Sequence, residues 1–151
     1  NLGEALMTAG RDEEAIPCFE VAADRNVLWI SPFDFQRLAL SHGSALLNLE
    51  RWTEAEAKFN EILKANPQHV PARNNLAIAL WKSGRTEKAL AELRTVITQN
   101  PDKPDGYLNL GTLLLELDRR AEAVPLLQQA LSLGADPVIV NTKLQQPPRR
   151  R

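Results

Sequence analysis

The chain has 151 residues, 44% hydrophobic and 25% charged, which reads as one soluble, folded domain. Its formal charge is −1; the terminal Arg149, Arg150 and Arg151 carry three of the positive charges, so the remainder stands at −4, a poor match for a nucleic-acid backbone. No apolar run reaches the roughly 18 residues of a membrane span, and a single cysteine, Cys18, excludes an intrachain disulfide and is expected to pack.

From the N-terminus, periodicity and punctuation predict helices near 1–9 and 12–25, with Gly10 at the turn. A second pair falls near 32–48 and 52–65. Before it lie six extra residues around Val27–Phe35, expected as a longer loop and an added helical turn. Trp29, Phe33 and Phe35 cluster there, and either tuck onto neighbouring helices or form a second interaction patch, for a partner or for self-association. The third pair, near 69–82 and 86–99, shows the pattern plainly: Ala72, Leu76, Ala79 and Leu80 form a stripe, Ser83-Gly84-Arg85 breaks it, and Asn100-Pro101 ends the second helix. The fourth pair falls near 103–116 and 120–133. A short capping helix over 138–145 follows, and the Pro/Arg tail 146–151 is expected to be disordered. Pro17 and Pro125 share a column and are expected at helix starts, where a missing N–H matters least. Glu50 and Asp118 stand where Gly10 and Gly84 make the other turns, so two turns are expected to differ in shape.

Aligned this way, Gly3, Gly43, Ala77 and Gly111 occupy one column, and Ala15, Ala55, Ala89 and Ala123 another, spaced by 40, 34 and 34 residues. Leu6, Leu46, Leu80 and Leu114 keep the register, as do Phe19, Phe59, Leu93 and Leu127. A fixed period near 34 marks a stack of helical units, and small residues let the two helices of each unit approach closely. These columns, Tyr107-Leu-Asn-Leu-Gly111 with Ala123, Leu127 and Ala130 above all, resemble the tetratricopeptide repeat. The resemblance implies an all-α, right-handed α-solenoid of helix–turn–helix repeats over 1–137, about four in number with the first incomplete. The chain opens on Asn1 already within a repeat, so it is expected to be a fragment.

No phosphate loop, zinc-protease motif or cysteine–histidine cluster is present, so no catalytic residue, metal or cofactor is expected. His42 takes a leucine place before Gly43 and is expected to pack, with only His69 as a potential second ligand. The first helix of each unit carries a second stripe: Leu40, Ser44 and Leu47; Asn74, Ile78 and Trp81; Leu108, Thr112 and Leu115. Beside it run Asn1, Ser41, Asn75 and Asn109, a polar column able to donate to and accept from a peptide backbone. In the family this side is the concave groove where peptides lie, and in glycosyltransferases with such repeats asparagines in a similar column grip the ligand. Asparagine is also the ordinary choice in the family at that place. The resemblance thus implies a groove formed by the stripe together with Ser41, Asn75 and Asn109, with Trp81 either an exposed anchor or a wedge against the next unit. Leu40, Ser44, Asp105 and Asn109 stand where the chaperone-type clamp for a terminal carboxylate needs cationic or amide groups, so no such tail is expected.

The expected function is that of a non-catalytic scaffold or adaptor binding an extended, partly apolar segment of another protein. The alternative is a substrate-recruiting arm of a larger multidomain enzyme such as a glycosyltransferase. A cytoplasmic setting is weakly preferred.

Overall fold

The computed structural model describes residues 2–23 and 32–145, apart from the side chains of residues 32 and 33. Among them it contains helices and no strand: α1 (Leu2–Thr8), α2 (Asp12–Ala23), α3 (Pro32–Asn48), α4 (Trp52–Ala65), α5 (Val70–Lys82), α6 (Thr86–Gln99), α7 (Pro104–Glu116), α8 (Arg120–Ser132) and α9 (Pro137–Gln145). The expected helices are all present within a residue or two at each end. With 17 residues against 13 in α5 and α7, α3 contains the added turn expected there. Asn1 of the polar column, Trp29 and the 146–151 tail lie outside the described residues. The fold divides into two compact units, Asn1–Ala89 and Leu90–Arg151.

In the first unit α1 packs on α2, α2 on α3, α3 on α4, and α5 on both α3 and α4. The seams close at the small-residue column. A Cβ placed on Gly3 would stand 2.5 Å from Phe19 Cε1, and one on Gly43 2.5 Å from Phe59 Cε1. Both phenylalanines are fully buried, each contributing about 1.5–3 kcal/mol from area removed from water. In the second unit a Cβ on Gly111 would meet Leu127 at 2.8 Å, so the same column performs the same task against a leucine. Leu127, Ala130, Ala135 and Val140 form a buried cluster there, which draws α9 onto α7 and α8.

The turns correct one expectation. Glu50 (φ 58°) and Asp118 (φ 60°) adopt the left-handed conformation of Gly10 (φ 72°) and Gly84 (φ 83°). The hydrogen bonds match as well: the N–H of Arg11, Arg51, Arg85 and Arg119 donates to the carbonyl of Leu6, Leu46, Leu80 and Leu114 respectively, at 2.8–2.9 Å. Each helix end is thus closed by the same six-residue motif. The shape is set by the stripe of leucines it terminates, and the side chain at the left-handed position adjusts to it.

A second correction concerns the prolines. Pro17 and Pro125 lie inside α2 and α8, past the first turn, rather than at helix starts. Each therefore removes one intrahelical hydrogen bond, and packing of the neighbouring alanines and aromatics or leucines, Ala15 and Phe19 or Ala123 and Leu127, carries the helix through.

Candidate functional site

The predicted stripe in the first unit lies on α3 and α5. Leu40, Ser41, Ser44, Leu47, Asn74, Asn75 and Trp81 are partly buried, and Ile78 is 43% exposed, less than Leu2, Val21, Val138 or Ile139 elsewhere on the surface. The Ser44 hydroxyl donates to the Leu40 carbonyl at 2.9 Å and accepts from Asn75 Nδ2 at 3.3 Å. That pair ties α5 to α3 and sets the orientation of the Asn75 amide. Ser41 donates to Glu4 Oε1 at 3.5 Å, and Arg37 pairs with the same carboxylate at 3.0 Å. Asn74 Oδ1 is buried without a hydrogen-bond partner among the described residues. The Lys82 ammonium sits 4.3 Å from the centre of the Trp81 ring, a cation–π contact that leaves the indole half-covered.

The second unit holds Leu108, Asn109, Thr112 and Leu115 on α7, all partly buried. Leu108 and Leu115 pack against the cluster around Leu127 and Val140. The Thr112 hydroxyl donates back to the Leu108 carbonyl at 2.7 Å. The Asn109 side chain makes no hydrogen bond to a described residue. Of the aromatic patch, Phe35 is partly buried on α3; Trp29 and the Phe33 side chain are outside the described residues.

Both histidines are taken up by the fold. His69 caps α5, its Nδ1 accepting from the Ala72 N–H at 3.1 Å. His42 is 5% exposed and stacks on Phe19 with ring centres 5.7 Å apart. Burial, with the Lys58 charge adding to it, holds the imidazole below its usual range. Among the described residues no group of three or more His, Cys, Asp or Glu side chains could hold a metal ion. Cys18 is partly buried, its thiol directed to the Glu14 carbonyl at 3.6 Å.

One column escaped the sequence reading. Arg11, Arg51, Arg85 and Arg119 repeat at 40, 34 and 34 residues and close the four turns. Three of them donate two hydrogen bonds each to a carboxylate three positions on, Glu14, Glu54 and Glu122, at 2.6–2.9 Å. These bonds come first in holding the three carboxyls below their usual range; desolvation opposes them and the arginine charge adds to them. Lys88 stands in the equivalent place after Arg85, which reaches instead to Glu56 on α4. The spacing alone could have revealed the column.

The profile of the family described as tetratricopeptide repeat matches residues 40–104 and again 74–138. The chain is 34% identical over 142 residues to human protein O-mannosyl-transferase TMTC3, an alignment that takes in 89% of this chain and 14% of that protein. Among solved structures, MamA from Desulfovibrio magneticus RS-1 superposes with a TM-score of 0.73 at 23% identity, covering 95% of this chain and 78% of that one. YrrB, described as a tetratricopeptide repeat protein with an unusual peptide-binding site, gives 0.75 at 22% identity, covering 95% and 71%. A tetratricopeptide repeat protein from Parabacteroides merdae gives 0.75 at 18% identity, covering 93% and 54%. Shared columns, helix order and these matches agree: the chain belongs to the tetratricopeptide repeat family.

Proposed function

We propose that the chain is a non-catalytic protein-interaction scaffold that takes an extended, partly apolar peptide segment along the stripe of its first helices. The observation that carries this reading is Ile78, 43% exposed on α5 between Asn75 and Trp81. An aliphatic side chain left in water next to a half-covered indole and a fixed amide offers an apolar anchor beside a backbone-binding group. Leu40, Ser41, Ser44, Leu47 and Asn74 extend this surface in the first unit, and Leu108, Asn109, Thr112 and Leu115 form the corresponding surface of the second. The peptide-binding site named for YrrB supports the reading by analogy of fold. The test is selection of binding peptides on the wild-type chain, followed by titration of Ile78→Asp and Trp81→Ala. Loss of a hot-spot anchor weakens binding by roughly 2 kcal/mol, about thirtyfold, with circular dichroism unchanged. Full retention of peptide capture by the folded double mutant overturns the proposal.

The likeness to protein O-mannosyl-transferase TMTC3 favours a second reading, in which the repeats recruit substrate for a larger glycosyltransferase. It is tested by reading the complete transcript through this segment. A reading frame that carries no transferase domain removes it.

A further inference from the structure

Charge is sorted between the first and second helices of the first unit. Its first helices, α1, α3 and α5, carry Arg37, Arg73 and Lys82 against Glu4 and Asp34. The second helices carry four carboxylates in α2 and three in α4, against Lys58 and Lys64. Even after the turn arginines Arg11, Arg51 and Arg85 take up Glu14, Glu54 and Glu56, the second-helix side stays acidic. The stripe therefore lies on the side that favours a negatively charged ligand. Two of its three cations are committed: Arg37 pairs with Glu4 at 3.0 Å and Asp34 at 3.8 Å, and Arg73 donates to the Pro67 carbonyl at 2.8 Å. Lys82 is exposed and has no carboxylate within ion-pair distance among the described residues. Thr8 and Asn48 precede it in the same repeat column, and both are engaged, Thr8 donating to the Glu4 carbonyl at 2.9 Å and Asn48 to Asp12 at 3.3 Å. Lys82 makes only its contact with the Trp81 ring, 4.3 Å from the centre.

The indole attracts the ammonium without neutralising it. It also narrows the rotamers open to a long, flexible stem, so less side-chain freedom is lost when a carboxylate arrives. Ile78, Trp81 and Lys82 stand at i, i+3 and i+4 on α5, where side chains share one face with Cβ atoms about 5–6 Å apart. We propose that Lys82 reads an internal Asp or Glu side chain of the bound segment, two residues from the apolar side chain that seats against Ile78 and Trp81. The spacing follows from backbone geometry. In an extended peptide alternate side chains point to the same side, about 7 Å apart, which fits the step from Ile78 to Lys82, whereas adjacent ones point to opposite sides. An ammonium is a point charge that meets one carboxylate, so neither a chain terminus nor a run of acids is needed. A nucleic-acid strand would need a row of such cations. This inference rests on the peptide-binding reading above and adds to it the charge of the segment and the place of that charge.

The experiment is selection from a displayed library of random dodecapeptides on the whole chain, followed by titration of an enriched peptide made synthetically. Enriched sequences should hold Asp or Glu two residues from an aliphatic or aromatic one. Replacing that acid by its amide should weaken binding roughly threefold at low salt, the scale of an exposed ion pair. The difference should vanish in Lys82→Met, which keeps the stem against Trp81 and removes the charge. Lys82→Glu should invert the preference and enrich Lys or Arg at the same place. If Ile78→Ser weakens capture while the acid and amide peptides bind the wild type equally, or if Lys82→Met keeps the acid preference, this inference falls and the groove reading stands. Displacement of the peptide by oligo-deoxythymidine would assign the cation to nucleic acid and also overturn it. An empty selection, or enriched peptides indifferent to Ile78→Ser, removes the groove reading and this inference with it.

Discussion

Glycine serves two columns of this chain for opposite reasons. At Gly3, Gly43 and Gly111 the backbone is ordinary helix and the space is missing: an added Cβ would lie 2.5–2.8 Å from a buried ring or leucine. At Gly10 and Gly84 the space is open, with nothing within 4 Å of an added Cβ, and the backbone is left-handed. The seam cannot accept a large side chain without moving its partner. The turn can accept one at a modest conformational cost, and Glu50 and Asp118 show that it does. A column of glycines in a repeat therefore carries a packing constraint in one place and a torsional one in another.

Substitution separates the two. Gly111→Leu in the seam should produce the largest loss, about 3 kcal/mol, because the overpacked helix pair has nowhere to relax; thermal melting reads it, and an unchanged midpoint would sink the packing assignment. Gly43→Ala should cost about 1–3 kcal/mol, and adding Phe59→Leu should recover part of it, a coupling that a double-mutant cycle measures. In the turns, Gly84→Ala should lose only about 1 kcal/mol despite the open space around it, while Asp118→Gly should gain about 0.5–1 kcal/mol. Equal effects at seam and turn would erase the distinction.

Two smaller effects sharpen it. His42 sits in a seam where leucine is the usual neighbour, and its folded-state pKa is depressed by burial first and then by Lys58. Its stability contribution is complete above the ordinary histidine pKa of about 6.5 and is lost as pH falls from there through the folded value. Melting midpoints taken between neutral and acidic pH should show that decline in the wild type and less of it in His42→Leu. Glu14→Gln, on a fully exposed pair with Arg11, should leave the melting temperature essentially unchanged.

Helix order and seams are legible in the sequence because both are enforced by period and size: a column of Gly or Ala facing Phe or Leu has few physical explanations. Turn shape is misread when residue type stands for conformation, whereas the leucine stripe and the six-residue hydrogen-bond motif fix the backbone before the turn residue is chosen. Pro17 and Pro125 are misplaced for a related reason, since a helix packed at Ala15 and Phe19 or at Ala123 and Leu127 tolerates a lost bond that an isolated helix would not. On the stripe, the residues are legible and their partners are not. Nothing in one-dimensional spacing says that Asn75 bonds Ser44 or that Leu108 and Leu115 pack against the α9 cluster.

Lys88 changes more than a charge. Where Arg11, Arg51 and Arg119 each bond a glutamate three positions on, Lys88 stands in that place after Arg85, and the arginine reaches backward across 29 residues to Glu56. Neighbouring repeats already share their melting through helix packing, and the Arg85–Glu56 pair adds an ion pair to the coupling of the second and third. A single acid-to-base exchange thus tunes cooperativity along the array, and reversing it with Lys88→Glu would draw Arg85 back to its own helix and let the second and third repeats unfold more independently.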